Sequence, residues 1–345
     1  MQKHSHLAHP SAYSPQPPAP PLPPPAPLLH APPTSATLRA LFPSDSRIVP
    51  NAQAQALIEG LGFTPRYFTR DGLSMHYLDE GQGEPLVMVH GNPSWCWLYR
   101  DLVAALKPDY RCVVPDHIGM GLSDKPDDGR YRYTLDSRVA DFSAFMDKVV
   151  PSGPVTLIVH DWGGAIASAW AVRNPERVRR MVVFNTAAFP MLDGKRLPAT
   201  LKLVRNTRLG AFLVERFNAF AAGAARIGSV RGLPASARAA YTAPYDNPVS
   251  RRATLRFVQD IPLAEDDPAY ATIAATGKGL QMLEDKPMLI LWGLRDFVFD
   301  RDYFDEWCAR FPRAEAIAFA DAGHYVIEDA ADTILPKVRE FLART

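Results

Sequence analysis

A regular alternation of short apolar runs with longer helical stretches is the feature that most limits how this chain can fold. From about residue 64 it presents eight runs rich in β-branched and aromatic residues. The first two are adjacent, and stretches long enough for a helix separate most of the later ones. Two early strands followed by strand–helix repeats predict the α/β class, with a mostly parallel sheet flanked by helices on both faces. The predicted strands are RYFTR, LSMHYLDE, PLVMVH, RCVVPD, PVTLIVH, RRMVVFN, PMLILWG and AEAIAFA.

The alternation stops between Thr186 and about Gly279, where the pattern predicts several helices. Two of them fall in LGAFLVERFNAFAAGAARIG and SRRATLRFVQDI, with glycine and proline breaks between them. The strand pattern then resumes. The sequence therefore predicts a core over residues 60–185 and 280–343, interrupted by a helical cap over residues 186–279.

The first 45 residues have a different character. The stretch HPSAYSPQPPAPPLPPPAPLLHAPP is dominated by proline, which lacks the N–H of a sheet ladder and favours polyproline II. We predict a disordered tail over residues 1–45 that serves as a spacer, with a ligand for an SH3-like partner as the alternative. Its His4, His6 and His9 are expected to be solvated rather than bound to a metal.

Composition argues against several classes of function. The net charge is +1 and the arginines are scattered, so the basic stripe of a nucleic-acid-binding protein is missing. Cys96, Cys112 and Cys308 are odd in number and lack metal-ligand spacing, which argues against a disulfide framework and favours the cytoplasm. No apolar run reaches about 18 residues, so no transmembrane segment is predicted. We expect neither a metal nor a cofactor.

One predicted strand ends in a turn that carries a charged residue. Asp161 follows PVTLIVH, and Trp162, Gly163 and Gly164 open the next helix. In α/β enzymes this strand–turn–helix setting holds a nucleophile, and the glycines permit the strained turn and close packing of the helix. A carboxylate at that position is ionised at neutral pH and forms an ester when it attacks carbon. For this motif alone, a solvated turn aspartate is the alternative interpretation.

Three further motifs stand where such a site would need them. The turn HGNP follows the third strand and can aim the backbone N–H and side-chain amide of Asn92 at the strand ends. Together with the backbone N–H of Trp162 these donors would form an anion-binding pocket. The loop after the last strand carries His324 as a candidate general base, and the loop before that strand carries Asp296 to orient the imidazole. Nucleophile, acid, base is the chain order of α/β-hydrolases.

The motifs HGNP, DHIGMGLSDKP and VHDWGG resemble the haloalkane dehalogenase-like branch of the α/β-hydrolases, over roughly residues 60 to 343. The resemblance implies an α/β-hydrolase fold with an inserted helical cap and Asp161 as the group that attacks carbon. It also implies that Asn92 and Trp162 bind the departing anion. Asn185 stands where some dehalogenases carry the acidic member of the triad, so the acid implied here is Asp296.

Epoxide hydrolases share the Asp-Trp-Gly-Gly turn but require cap tyrosines that protonate the opening ring. Tyr241, Tyr245 and Tyr270 are available in the predicted cap, and packing is the alternative role for each.

A closer resemblance comes from stretches partly outside these motifs. NTAAFP, RRATLRFVQDIPL and WGLRDFVFD are similar to the cis-β-lactone decarboxylases of bacterial long-chain olefin biosynthesis. This resemblance implies a cis-3,4-dialkyl-β-lactone as substrate, and a cis-alkene and carbon dioxide as products. The implied partners are the thiolase, the dehydrogenase and the β-lactone synthetase of that pathway. A hydrolase of haloalkanes or epoxides and a catalytically silent scaffold are the alternatives.

Two chemical routes remain open for a β-lactone. If Asp161 attacks the ring carbon that bears oxygen, no water is consumed and His324 acts electrostatically or as a proton donor. If Asp161 attacks the carbonyl, His324 and Asp296 activate water, as they would in a dehalogenase. The sequence does not choose between these routes.

Two long alkyl chains would need an apolar cavity. Phe189, just after the sixth strand, is the residue predicted to contact substrate. Phe212, Phe217 and Phe220 in the cap are candidates for the cavity lining, although aromatic residues at this spacing more often pack a cap onto its core.

Overall fold

A computed structural model describes residues 51–345, so the predicted tail, with His4, His6 and His9, lies outside the described residues. Within residues 51–345, eight strands form one sheet in the order β1-β2-β4-β3-β5-β6-β7-β8. β2 is antiparallel to β1 and β4, and the other neighbouring pairs are parallel. The predicted α/β class is confirmed. The strands are β1 (Arg66–Arg70), β2 (Leu73–Glu80), β3 (Pro85–Val89), β4 (Arg111–Pro115), β5 (Val155–Val159), β6 (Val178–Phe184), β7 (Met288–Gly293) and β8 (Glu315–Phe319).

The central strands are buried on both faces of the sheet. In β3, Val87 and Val89 point into one apolar cluster, whereas Leu86 and Met88 point into a second one. β5 and β7 are buried at every residue. Because successive side chains of a strand point to opposite faces, these continuously apolar strands need cover on both sides. The cover comes from α1 (Ala52–Gly60), α2 (Arg100–Leu106), α3 (Leu135–Val149), α4 (Trp162–Ala171), α11 (Arg301–Arg310), α12 (Val326–Asp329) and α13 (Ala331–Arg344).

A helical segment connects β6 to β7. Its first predicted helical run is divided at Asn218, whose left-handed backbone (φ 54°) ends one helix and precedes the next. Asparagine tolerates this conformation better than most residues, so it divides the run without glycine or proline. The division of the chain at residues 186 and 279 stays a prediction. The helices of this segment are α5 (Ala199–Asn206), α6 (Arg208–Phe217), α7 (Ala219–Ile227), α8 (Ala235–Thr242), α9 (Arg252–Gln259) and α10 (Tyr270–Gly279).

The parallel strands bring their carboxyl ends to one edge of the sheet. The loops after β3, β5, β7 and β8 carry Asn92, Asp161, Asp296 and His324 respectively. In open α/β sheets this edge is where ligands bind, because loops from several strands converge there. None of the helices within residues 51–345 has the length and apolar character needed to span a membrane.

Candidate active site

Asp161 occupies a strained turn between β5 and α4. Its backbone has φ 52° and ψ −131°, a combination that residues other than glycine rarely adopt. Both polar backbone groups of Asp161 form hydrogen bonds. The N–H of Asp161 donates to the carbonyl of Asn185 at 2.9 Å, and its carbonyl accepts from the Thr186 hydroxyl at 2.5 Å. The residues that follow β6 therefore fix the orientation of Asp161.

Glycines make room for this turn. A Cβ on Gly163 would overlap the Val89 carbonyl oxygen, and one on Gly164 would overlap the Thr186 hydroxyl. A Cβ on Gly91 would overlap the carboxylate of Asp161 itself. The absence of side chains at these three positions lets β3 and α4 approach the turn closely, as expected for Gly163 and Gly164 from the sequence.

The Asp161 carboxylate is buried and faces backbone donors. Asn92 N–H donates to its Oδ1 at 2.6 Å. Burial raises the pKa of Asp161; the charge of His324 and the N–H groups of Asn92 and Trp162 oppose this effect, and the net shift is upward. The two backbone N–H groups that were predicted to bind an anion thus bind the carboxylate of the candidate nucleophile.

His324 lies between two carboxylates. Its Nδ1 is 2.8 Å from Asp296 Oδ2, and its Nε2 is 3.8 Å from Asp161 Oδ2, beyond hydrogen-bond distance. Burial lowers the pKa of His324, but the charge of Asp296, the hydrogen bond to Asp296 and the charge of Asp161 outweigh it and raise the pKa to about 9. In this arrangement the imidazole is therefore protonated at neutral pH.

Asp296 is held by donors from two sides. Its Oδ1 accepts from Val298 N–H at 2.8 Å, and its Oδ2 accepts from the Asn185 amide at 3.1 Å. Burial raises the pKa of Asp296, but the charge of His324 and its hydrogen bond outweigh this, so the pKa lies below its usual value. Asn185 also bonds both backbone groups of Gly293 at the end of β7.

The role of Asn185 in positioning Asp296 was missed in the sequence. The available signal was its place after β6, where some dehalogenases carry the acid of the triad.

The side chains of Asn92 and Trp162 contact the helical segment between β6 and β7. The Asn92 amide donates to the Thr254 carbonyl of α9 at 3.0 Å, and an amide has a second N–H that this bond does not use. The Trp162 ring lies 5.4 Å from the ring of Phe257, also in α9. Both residues predicted to bind an anion therefore lie against α9, and their binding of an anion stays a prediction.

A cavity of about 350 Å³ lies over the carboxylate. Asn92, Asp161 and His324 supply its polar floor, and the walls are mostly apolar. Phe189, predicted to contact substrate, is buried and lines the cavity. The site therefore joins a buried carboxylate to a space suited to an apolar ligand.

Two aromatic residues beside His324 were not predicted. Phe297 and Phe299 line the cavity, and their rings lie 6.2 and 6.1 Å from the imidazole. The available signal was the alternation Asp-Phe-Val-Phe at residues 296–299, which places two phenylalanines two positions apart in the loop that carries Asp296.

One of the three phenylalanines considered as candidates for the cavity lining reaches the cavity. Phe220 lines the cavity, but Phe212 and Phe217 do not. Their exposed fractions are 50% and 65%, and their rings contact each other edge to face at 5.7 Å. Both side chains project from the outer side of α6, away from the core.

The tyrosines considered for an epoxide hydrolase do not line the cavity. The Tyr241 hydroxyl donates to Glu328 at 2.6 Å, and the Tyr245 hydroxyl donates to the Ser94 carbonyl at 3.3 Å. Within residues 51–345, Tyr303 of α11 is the one tyrosine in the cavity lining. The ring-opening acids of an epoxide hydrolase are therefore not found at the predicted positions.

A second buried cluster lies away from this cavity. His76, Cys96 and Asp116 are close enough to share an ion, but Asp116 already accepts from the Cys96 N–H at 2.7 Å and the Leu122 N–H at 3.0 Å. His76 Nδ1 lies 2.7 Å from the same carboxylate. The contacts are those of a hydrogen-bonded core cluster, and the expectation of no metal stays a prediction.

Comparisons with known proteins identify the fold family and similar proteins. The model of the alpha/beta hydrolase fold family matches residues 84–331. A cis-3-alkyl-4-alkyloxetan-2-one decarboxylase from Xanthomonas campestris is 48% identical over 293 residues, covering 83% of this chain and 98% of that protein. A protein of the same name from Shewanella oneidensis is 48% identical over 287 residues, covering 83% and 90%. The crystal structure of the haloalkane dehalogenase DatA from Agrobacterium tumefaciens aligns with a TM-score of 0.73 at 27% identity, covering 82% and 97%.

Proposed function

The chain belongs to the alpha/beta hydrolase fold family, and we propose that it decarboxylates cis-3-alkyl-4-alkyloxetan-2-ones, which are β-lactones with two alkyl substituents. The products are a cis-alkene and carbon dioxide. The observation that carries this assignment is the 48% identity to two decarboxylases of that name over at least 90% of their length. The arrangement around Asp161 supports it, because a buried carboxylate on the floor of an apolar cavity suits a neutral, hydrophobic electrophile.

Asp161 is the proposed nucleophile, and the attacked atom is C4, the ring carbon that bears the ring oxygen. Attack from the side opposite that oxygen forms an ester bond between Asp161 and C4. The C4–O bond breaks, and its electron pair stays on the carboxylate attached to C3. The carboxylate and the ester oxygen are then antiperiplanar without further rotation about the C3–C4 bond.

Loss of carbon dioxide completes the reaction. The electrons of the bond between C3 and the carboxylate form the C3–C4 double bond, and the electrons of the ester bond return to Asp161. Because inversion at C4 is followed by anti elimination, the two alkyl groups end on the same side of the alkene. A cis-lactone thus gives a cis-alkene, with no water consumed and no proton transferred.

In this route the charged groups act by electrostatics. The Asn92 amide and Trp162 are proposed to bind the carboxylate released from C4. His324, held by Asp296, is proposed to remain protonated and to stabilise Asp161 as it leaves. The pKa of about 9 for His324 supports this role, because a protonated imidazole is a poor general base for water.

A haloalkane dehalogenase is the second candidate. The structural match to DatA favours it, since the same floor could bind a halide after attack on an alkyl halide. That reaction ends only when water hydrolyses the ester. Esterification of Asp161 would remove its negative charge from beside His324, which would lower the pKa of the imidazole and increase the neutral fraction that can accept a proton from water.

We also propose a cap, a cellular compartment, a pathway and partner enzymes for this protein. Residues 186–279 are assigned as the cap that closes over the alkyl chains, and Phe189 as a residue that contacts one of them. We propose that the protein acts in the cytoplasm, in long-chain olefin biosynthesis. It would work with the thiolase, dehydrogenase and β-lactone synthetase that produce its substrate. Co-purification with those enzymes from the native host would test the last point.

The function is tested by supplying the purified protein with a cis-3,4-dialkyl-β-lactone and, separately, with a 1-haloalkane. Alkene is measured by gas chromatography and halide by ion chromatography. We expect cis-alkene from the lactone and little halide from the haloalkane. Rapid halide release without alkene from any β-lactone would overturn the assignment.

Turnover in ¹⁸O-labelled water separates the two routes. Attack at C4 returns the Asp161 carboxylate with its original oxygens, so mass spectrometry of the peptide should show no label. Label in Asp161 during alkene formation would instead support attack at the carbonyl. In a dehalogenase, replacement of His324 by Gln should trap an alkyl ester on Asp161.

A further inference from the structure

Exposed apolar side chains are concentrated on three consecutive helices, α5, α6 and α7, and on the loop that follows α7. Of the eleven large apolar side chains exposed within residues 51–345, six fall between residues 203 and 230. Single exposed apolar residues are ordinary on a soluble protein, whereas a contiguous group marks an interaction surface. The six are Leu203, Leu209, Phe212, Phe217, Ile227 and Val230.

Two members of this group lie at the opening of the cavity. Leu203 and Ile227 line the cavity although 38% and 59% of their surface is exposed, so they lie at its mouth. Phe297 of the loop after β7 also lines the cavity and is 40% exposed. Leu209, Phe212 and Phe217 of α6 lie beyond this rim and take no part in the lining. The apolar surface therefore continues from the inside of the cavity to the outside of α6.

The same helices carry an excess of positive charge. Between residues 199 and 227 there are five basic residues and one acidic residue, Glu215, in a chain whose net charge is only +1. Within the described part of the chain, four of the five are exposed and form no salt bridge. These four are Lys202, Arg208, Arg216 and Arg226.

Apolar and basic side chains are interleaved on the outer side of α6. Leu209, Phe212 and Arg216 are spaced three and four residues apart, so they share one face of the helix. An exposed face of this kind matches the surface of an anionic bilayer. Aromatic and aliphatic groups enter the boundary between headgroups and acyl chains, while arginine and lysine contact lipid phosphates.

This step rests on the proposed function, in which the substrate is a dialkyl β-lactone. The cavity is small for such a substrate, and this gives a reason for an apolar surface next to its mouth. About 350 Å³ is near the lower end of ligand pockets, which span roughly 300–1,000 Å³. Long alkyl chains would extend through the mouth. Such a substrate and its alkene product also partition into lipid rather than water.

We propose that the outer surface of α5, α6 and α7 docks on an anionic phospholipid membrane, with the cavity mouth facing the lipid. Long-chain substrate then enters, and alkene leaves, without crossing water. Phe212 and Phe217 insert below the headgroups, and Lys202, Arg208, Arg216 and Arg226 bind the phosphates.

Vesicle flotation with the full chain tests the proposal. Phosphatidylcholine vesicles are compared with vesicles in which roughly a third of the lipid is phosphatidylglycerol. We expect binding to the anionic vesicles and a loss of binding at high salt. The double variants Phe212→Ser/Phe217→Ser and Arg208→Gln/Arg216→Gln should each lower the partition coefficient at least about tenfold.

Two variants elsewhere on the surface serve as matched controls. Met282→Ser removes an apolar side chain that is 52% exposed, and Arg66→Gln removes an exposed base outside α5, α6 and α7. Neither should change vesicle binding. Failure to bind anionic vesicles, or binding that the two double variants leave intact, would overturn the proposal. So would self-association by sedimentation that Phe212→Ser/Phe217→Ser abolishes, since the surface would then belong to a second copy.

A kinetic comparison separates this inference from the proposed function. A short-chain, water-soluble cis-β-lactone should be converted equally by the wild type and by Phe212→Ser/Phe217→Ser. A long-chain lactone dissolved in anionic vesicles should be converted more slowly by the variant. Equal rates on both substrates would reject the membrane surface while leaving the decarboxylase assignment intact, whereas no alkene from either lactone would reject the decarboxylase assignment itself.

Discussion

At residue 161 the chain holds a carboxylate in a left-handed backbone that few side chains adopt. Asparagine has nearly the same size and shape as aspartate, so Asp161→Asn removes the charge with little change in packing. The Asn oxygen can still accept from the Asn92 N–H. We expect turnover of the lactone to fall at least about 10⁴-fold, with an unchanged melting temperature.

Asp71→Asn is the matched control for this change. Asp71 also has a positive φ, 50°, but its side chain is 86% exposed and lies outside the site. The turnover of the Asp71→Asn variant should equal that of the wild type. Normal turnover in a folded Asp161→Asn protein would rule out a covalent step through Asp161.

The charge of His324 predicts how the rate depends on pH. Its pKa is raised to about 9, so the imidazole keeps its proton up to that pH and loses it above. In the C4 route the cation is needed, and kcat/KM for a neutral lactone should decline as pH rises through about 9. It should also decline at acidic pH, where Asp161 becomes protonated. A rate that increases through pH 9 would show that the neutral imidazole acts, as in ester hydrolysis.

The ends of two helices meet at Asp260, which follows α9. Its carboxylate accepts from the Leu135 N–H, at the start of α3, at 2.6 Å and lies 3.7 Å from the buried guanidinium of Arg138. Asp260→Ala would leave a buried N–H and a buried cation without this partner. We expect unfolding free energy, measured with urea, to fall by about 2–4 kcal/mol.

Asp266→Ala is the control for this position, because Asp266 is exposed in the adjoining loop. Its stability should change by less than about 0.5 kcal/mol. A similar loss in both variants would show that the effect belongs to the loop rather than to the junction of α9 with α3.

The elements of the core could be predicted to within a residue or two, because strands buried on both faces have an unbroken apolar sequence. PVTLIVH predicted a strand that the structure places at Val155–Val159. In the segment between β6 and β7, the face of each helix that meets the core could not be predicted in this way. Phe212 and Phe220 belong to one apolar run, yet only Phe220 lines the cavity, because the face that meets the core depends on elements distant in sequence.

Within the site, too, the positions of residues could be predicted but their contacts with distant parts of the chain could not. Asn92, Asp161, Asp296 and His324 could be placed from the loops that carry them, because the carboxyl ends of parallel strands share one edge. The bond from the Asn92 amide to the Thr254 carbonyl joins residues 162 positions apart, and no local pattern encodes it.

For the molecule as a whole, the proline-rich segment is expected to be dispensable for folding. Its composition offers little apolar surface to bury, so deletion of residues 1–45 should leave the melting temperature and alkene formation nearly unchanged. Thermal unfolding of the truncated and full chains checks this. A melting temperature lowered by more than about 4 °C would indicate that the segment packs on the domain.

The hydrogen bonds that hold the turn at Asp161 bear on how the helical segment between β6 and β7 could be replaced. Asn185 and Thr186 bind the N–H and the carbonyl of Asp161, although they belong to the connection that leads out of β6 toward the helices. A chimera joined directly after β6 would discard both of these hydrogen-bonding residues along with the helical segment. The junction for such an exchange therefore lies after Thr186, and donor segments grafted there keep the backbone geometry of Asp161 while replacing walls of the cavity above it.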